Sequence, residues 1–238
     1  MAYATLVEGL DKSLGDIVAN ITRHGLANNT LLIFVSDNGG TAESRNQIPV
    51  PFSQNTPLRS VKASAYEGGL RVVQVMSWPG RIKGGLTNRT PVVTDDIFPT
   101  LLALARVPDR ENLVKDIRGR DLMPMLTGGP PLPSDRPLLW HFPHPHGSGP
   151  GQEPFSALRV GSWKLIFFYN GRRYELYDLD KDLGESQNVL NANPAVAARL
   201  SAILRDVLSG AGAQMPVDAA TKLPVDPPPI VARTAPVR

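Results

Sequence analysis

Leu31-Leu32-Ile33-Phe34-Val35-Ser36-Asp37-Asn38-Gly39-Gly40 joins five consecutive apolar residues to a short polar, glycine-rich segment. An unbroken apolar run of this length is the pattern of a strand covered on both faces, as in a parallel sheet. Ahead of it, Tyr3, Leu6, Val7, Leu10, Leu14, Ile17, Val18 and Ile21 fall at helical spacing and draw one apolar stripe, which Gly25 stops. Helix followed by buried strand reads as α/β. The polar segment then lies at the C-terminal end of the strand, where open α/β sheets place their ligand crevice. Asp37 and Asn38 offer two hard oxygen donors suited to Ca²⁺ or Mg²⁺, and the glycines let the backbone turn tightly. Four residues of this kind also make an ordinary Asx turn, and two ligands do not complete a metal site.

Working outward, residues 36 to 69 lack long periodicity and read as an extended loop region. A second strand is expected from Arg71 to Trp78, and a helix capped by Thr94 runs through Ile97, Leu101 and Leu104. Between Gly128 and Pro154, 13 of 27 positions are Gly or Pro, which marks a boundary. Beyond it, Ala157 to Val160, Lys164 to Phe168 and Arg173 to Tyr177 read as strands of a small antiparallel sheet, with Asn170-Gly171 as a type I′ hairpin turn. Asn193 and Pro194 open a helix whose apolar face carries Leu200, Leu204 and Leu208 and which Gly210 is expected to close. The Pro-rich tail that follows has little to bury and reads as extended or disordered.

The 238 residues carry 25 Lys+Arg against 22 Asp+Glu, a formal charge of +3 that is too small and scattered to indicate nucleic acid. No apolar run approaches the roughly 18 residues of a membrane span. With no cysteine, the chain holds no disulfide, thiolate metal site or cysteine nucleophile. Lys62 could supply a compact positive charge to an oxyanion, or be a solvated loop lysine. Glu67 and Arg71 suit a structural ion pair. Trp140-His141-Phe142-Pro143-His144-Pro145-His146 spaces its histidines as a loop does, so surface residues are as reasonable a reading as ligands.

Taken together, several of these stretches resemble the type I sulfatases (arylsulfatase family) of the alkaline phosphatase superfamily. They are Thr30 to Gly40, Asn55-Thr56-Pro57-Leu58-Arg59 with Lys62, Glu67-Gly68-Gly69-Leu70-Arg71-Val72 and Trp78-Pro79-Gly80. Asp96 to Leu102, Gly119 to Leu122, Leu158 to Ile166, Glu175 to Leu179 and Asp182 to Asn188 extend the likeness through the C-terminal half of that family. The resemblance implies an α/β fold, a partial alkaline-phosphatase-like sandwich with a mostly parallel sheet plus a small C-terminal antiparallel sheet packed by one helix. It implies a catalytic-domain portion over residues 1–135, a small subdomain over 136–212 and a Pro-rich tail over 213–238. Asp37 and Asn38 match metal ligands, with Ca²⁺ expected and Mg²⁺ an alternative; Lys62 matches the lysine that reaches the sulfate, and His141 or His144 would border the substrate.

That family's nucleophile is a formylglycine made in a Cys/Ser-x-Pro-x-Arg pattern. The resemblance places it, with its arginine and the paired aspartates, in a half preceding Tyr3, so the chain is expected to be the C-terminal part of a sulfatase and inactive alone. The substrate would be a sulfated small molecule or glycan, with neither nucleic acid nor membrane as partner, and the setting periplasmic or secreted. Two alternatives are a phosphonate or phosphodiester hydrolase of the same superfamily, and a non-catalytic module binding a sulfated polyanion through Arg59, Lys62 and Arg71.

Overall fold

The computed structural model describes residues 2–41, 55–144, 147 and 149–232. The chain divides into two compact units, Met1–Ser36 with Val73–Ser134 and Asp37–Val72 with Asp135–Arg238. The boundary expected near residue 135 is present, but the stretch after the first strand belongs with the second unit rather than the first. The reason is packing: Ala65 and Tyr66 are buried in one cluster with Phe155, Ile166 and Phe168, far along the chain.

In the first unit, α1 (Ala2–Arg23) forms where the apolar spacing places it. β1 (Leu32–Val35) pairs with β2 (Gln74–Ser77), Leu32 opposite Ser77 and Val35 opposite Gln74. This pair is antiparallel, which corrects the parallel sheet expected around β1. A continuous apolar run reports cover on the two faces of a strand and is silent on the direction of its neighbour. A 3₁₀ turn at Thr94–Asp96 leads into α3 (Ile97–Leu104). The fully buried Asp96 carboxylate accepts the Val93 N–H at 2.9 Å and the Arg120 N–H at 2.7 Å, so it ties the start of this helix to the Gly119-Arg120-Asp121-Leu122 stretch. Two short helices, α4 (Arg110–Val114) and α5 (Met123–Leu126), complete the unit. Among the described residues no helix is long and apolar enough to cross a membrane.

The second unit contains α2 (Glu67–Leu70) and an antiparallel meander of β3 (Leu138–Phe142), β4 (Phe155–Val160), β5 (Trp163–Phe168) and β6 (Arg173–Asp178). The period-2 alternation of β5 sends Leu165 and Phe167 to one face and Lys164, Ile166 and Phe168 to the other. The first face packs with Leu158 and Leu176 against Leu200, Leu204 and Leu208 of α6 (Pro194–Gly210). The second packs with Tyr177 against Ala65 and Tyr66. Cover on both sides explains why these strands read as nearly unbroken apolar runs. The turn between β5 and β6 is a 3₁₀ turn over Asn170–Arg172, with Gly171 and Arg172 at positive φ, instead of the two-residue type I′ turn expected.

α6 ends at Gly210 as expected, and the left-handed residue that seals its end is Gly212. Gly212, at φ +58°, donates to the Ser209 carbonyl at 3.1 Å and Ala213 donates to that of Leu208 at 3.0 Å, the paired bonds of a Schellman ending. The tail also departs from expectation. Met215, Val225 and Val231 pack on the α6 cluster, Tyr174 Oη donates to the Pro229 carbonyl at 2.7 Å, and the Val231 N–H donates to Ser201 Oγ at 2.9 Å. Proline has no N–H to satisfy, so such a segment seats through its carbonyls and scattered apolar side chains without strand or helix pattern.

Candidate active site

The candidate site is built from three backbone segments of the second unit that close on one another. Gly39 donates its N–H to the Gly69 carbonyl at 3.1 Å, Lys62 donates to the Gly40 carbonyl at 2.9 Å, and Gly68 donates to the Arg59 carbonyl at 2.8 Å. The segments come so near that a Cβ at Gly39 would collide with the Gly68 carbonyl, and one at Gly68 with the Ser60 carbonyl. Glycine is required there for close approach, whatever its φ. The Asn55 carboxamide fastens the knot, its nitrogen lying 3.0 Å from the Gly40 carbonyl, 3.1 Å from that of Ser60 and 3.0 Å from that of Gly68.

This knot carries Asp37, Asn38 and Lys62. Asp37 is exposed, directly after the strand end and Ser36; Asn38 is half-buried and turns its side-chain nitrogen back to the Gly39 carbonyl at 2.9 Å. Lys62 has an exposed side chain and a main chain fixed on both sides, because its carbonyl accepts from Gln152 Nε2 at 2.9 Å. Its neighbours are held by the same Pro-Gly segment: Ser60 and Ser64 hydroxyls both donate to the Pro150 carbonyl, and Ala65 N–H donates to that of Gly151. The three residues therefore sit on interlocked segments: Lys62 makes the hydrogen bond to the Gly40 carbonyl, two residues after Asn38. Asp37 and Asn38 each carry a hard side-chain oxygen, the donor type of which Ca²⁺ takes six to eight. Among the described residues no three His, Asp or Glu side chains gather to hold a metal ion, so the pair fits such an ion as part of a ligand set.

The basic residues around the knot differ in their commitments. Arg59 lies over the Tyr66 ring at 3.7 Å and donates to Tyr177 Oη and the Glu185 carbonyl. Arg71 donates to Glu67 Oε2 at 2.8 Å, the structural ion pair expected. Both are engaged within the fold, which weakens a polyanion surface built on them. Burial raises the Glu67 carboxyl more than any other single influence, yet the charges and hydrogen bonds of Lys164 and Arg71 together outweigh it and hold it below the ordinary range.

His141 lies in β3 with Nδ1 2.7 Å from Ser156 Oγ and Nε2 2.7 Å from the Gln214 carbonyl. Nε2 thus pins the tail to the sheet while Nδ1 holds the ring to β4, and Ser156 Oγ continues to Tyr169 Oη at 2.9 Å. His144 is exposed just beyond the strand, and His146 lies outside the described residues. Trp163 and the Phe167, Phe168, Tyr169 group line the two cores of the sheet. Asn55, Gln152, Lys164 and Glu185 were not singled out from sequence. For Lys164 a signal existed, a lone cation in an otherwise apolar strand; for the others none did.

Residues 1–107 match the family model described as Sulfatase, and residues 61–210 match N-sulphoglucosamine sulphohydrolase, C-terminal. The chain belongs to the sulfatase family. It is 32% identical over 206 residues to a sulfatase of Formosa agariphila, covering 81% of this chain and 36% of that one. It is 30% identical over 209 residues to the N-acetylgalactosamine-6-O-sulfatase of Bacteroides thetaiotaomicron, covering 83% and 40%. The crystal structure of Ps i-CgsB in complex with k-i-k-neocarrahexaose superposes with a TM-score of 0.71 at 25% identity, over 86% of this chain and 41% of that one. The chain spans about 40% or less of the length of these curated sulfatases.

One pentapeptide corrects the expectation that the nucleophile pattern lies wholly outside this sequence. Ser77-Trp78-Pro79-Gly80-Arg81 spells Ser-x-Pro-x-Arg. The structure uses it otherwise: Ser77 is the last residue of β2, Trp78 is buried with its Nε1 donating to the Asn28 carbonyl, Gly80 turns at φ +80°, and Arg81 stacks on Trp78. It belongs to the first unit, whereas Asp37 and Lys62 belong to the second.

Proposed function

We propose that this chain contributes the metal- and sulfate-facing segment of a sulfuric ester hydrolase acting on sulfated carbohydrate or aryl sulfate. The observation that carries the reading is the interlock of the Asp37–Gly40, Asn55–Lys62 and Glu67–Gly69 segments, which presents two oxygen donors and one ammonium from a rigid backbone. Sulfate ester cleavage develops negative charge on the sulfuryl oxygens and on the leaving oxygen. Lys62, with an ammonium of three donors on a main chain held at both its N–H and its carbonyl, is suited to meet that charge from a fixed point of the backbone. Asp37 and Asn38 would hold the divalent ion, most suitably Ca²⁺, which when bound supplies further positive charge at the reacting group. The formylglycine nucleophile is expected from sequence other than these residues.

The test uses two proteins, the 238-residue chain and the same chain extended at its N-terminus by the corresponding segment of the Formosa agariphila relative. With Ca²⁺ and p-nitrophenyl sulfate, the chain alone is expected to show no turnover and the extended form to hydrolyse the ester. In the extended form, Lys62→Ala is expected to lower kcat by about 10²–10³, and Asp37→Ala to remove the Ca²⁺ dependence of the rate. Turnover by the chain alone that disappears in Ser77→Ala would overturn the assignment. Preference for p-nitrophenyl phosphate or a phosphonate ester would move it to the alternative hydrolase.

A further inference from the structure

Beneath the Glu67–Gly69 turn lies a cluster of charges that the proposed chemistry does not use. Lys164 and Glu185 are both fully buried. The Lys164 ammonium, on the α2-facing side of β5, lies 3.0 Å from Glu67 Oε1 and 2.8 Å from Glu185 Oε1, the second contact outside hydrogen-bonding geometry. Glu185, in the loop after β6, accepts the Glu67 N–H on Oε2 at 2.6 Å. Burial raises the Glu185 carboxyl above the ordinary range although Lys164 opposes it. Buried ions of this kind are replaceable by apolar side chains with little loss of stability, sometimes with a gain. What apolar side chains lack is direction. Here the direction falls on the Glu67 backbone; just after it, the Gly68 carbonyl bears on Gly39 directly and the Gly69 carbonyl accepts the Gly39 N–H.

We propose that Lys164 and Glu185 are positioning residues: by clamping Glu67 from both its side chain and its main chain they set the Gly68-Gly69 backbone, and through Gly39 the placement of Asp37 and Asn38. The inference rests on the reading above only for what those donors hold. The clamp itself is read without metal or ester, so its failure is distinct from failure of the hydrolase reading.

The experiment is residue-resolved amide hydrogen exchange on the full 238-residue chain. In Lys164→Met, exchange at Gly39 is expected to quicken roughly tenfold or more while Leu204 and Leu208 in α6 stay within about twofold, the mark of local opening. Glu185→Asp keeps the charge but withdraws the carboxylate by one methylene, and it gives the same answer if Lys164→Met does not fold: faster exchange at Glu67 and Gly39, unchanged exchange in α6. Lys164→Met combined with Glu185→Met is expected to recover the thermal midpoint without recovering Gly39 protection. Gly39 exchange that is unchanged, that rises in step with α6, or that recovers together with the midpoint overturns the proposal.

Discussion

α1 and α6 are both amphipathic, and they meet opposite surroundings. In α6, Leu200, Leu204 and Leu208 are fully buried against β4 and β5. In α1, Leu6, Leu10 and Ile17 keep 72%, 55% and 51% of their surface exposed. The same periodicity in sequence therefore reports the face that a helix offers, and only the fold reports whether the face is taken. The second unit closes two apolar clusters over one sheet; the first presents α1's stripe, together with Val73, Val75, Phe98 and Leu101, to solvent.

The largest expected effect that bears on this contrast is Leu204→Ala, which should destabilise the chain by about 2–5 kcal/mol in urea unfolding because it empties a closed core. A loss much smaller than this would show that α6 is no better covered than α1. Next is Glu67→Gln, expected to cost about 1–3 kcal/mol at pH 7. Its pH dependence has a definite sign. Glu67 is depressed in the fold, so its contribution is complete above the unfolded carboxyl value of about 4.3 and disappears as pH falls through the folded value. Thermal midpoints between pH 7 and pH 3 should fall less steeply in Glu67→Gln than in the parent chain. Glu185, raised in the fold, works in the opposite direction and is present in both proteins. The smallest effect is expected of Leu10→Ser, within about 0.5 kcal/mol, with a clear drop in binding of a hydrophobic dye. A large loss of stability there would mean the stripe is covered after all.

The sequence shows plainly whatever local chemistry fixes: the β1 run, β5 and β6, and α6 with Pro194 at its start all stand where pattern places them. It is less informative where partners are distant. Asp37, Asn38 and Lys62 stand out as candidates from residue type and family likeness, but Asn55, which ties their segments, acts through carbonyls that carry no sequence signature. Glu185 becomes visible only when the loop after β6 brings it to Lys164. The tail misled because apolar residues spaced irregularly among prolines have no period to detect, although each finds a place on the core.

That tail sets a practical limit on how the protein can be shortened. A clone ended at Gly212, where composition invites a cut, would take away the acceptor for the Tyr174 hydroxyl and the carbonyl that steadies His141, and would strip Met215, Val225 and Val231 from the helix-side core. The segment from Met215 to Val231 is masonry, and a shortened chain that keeps these contacts must retain it.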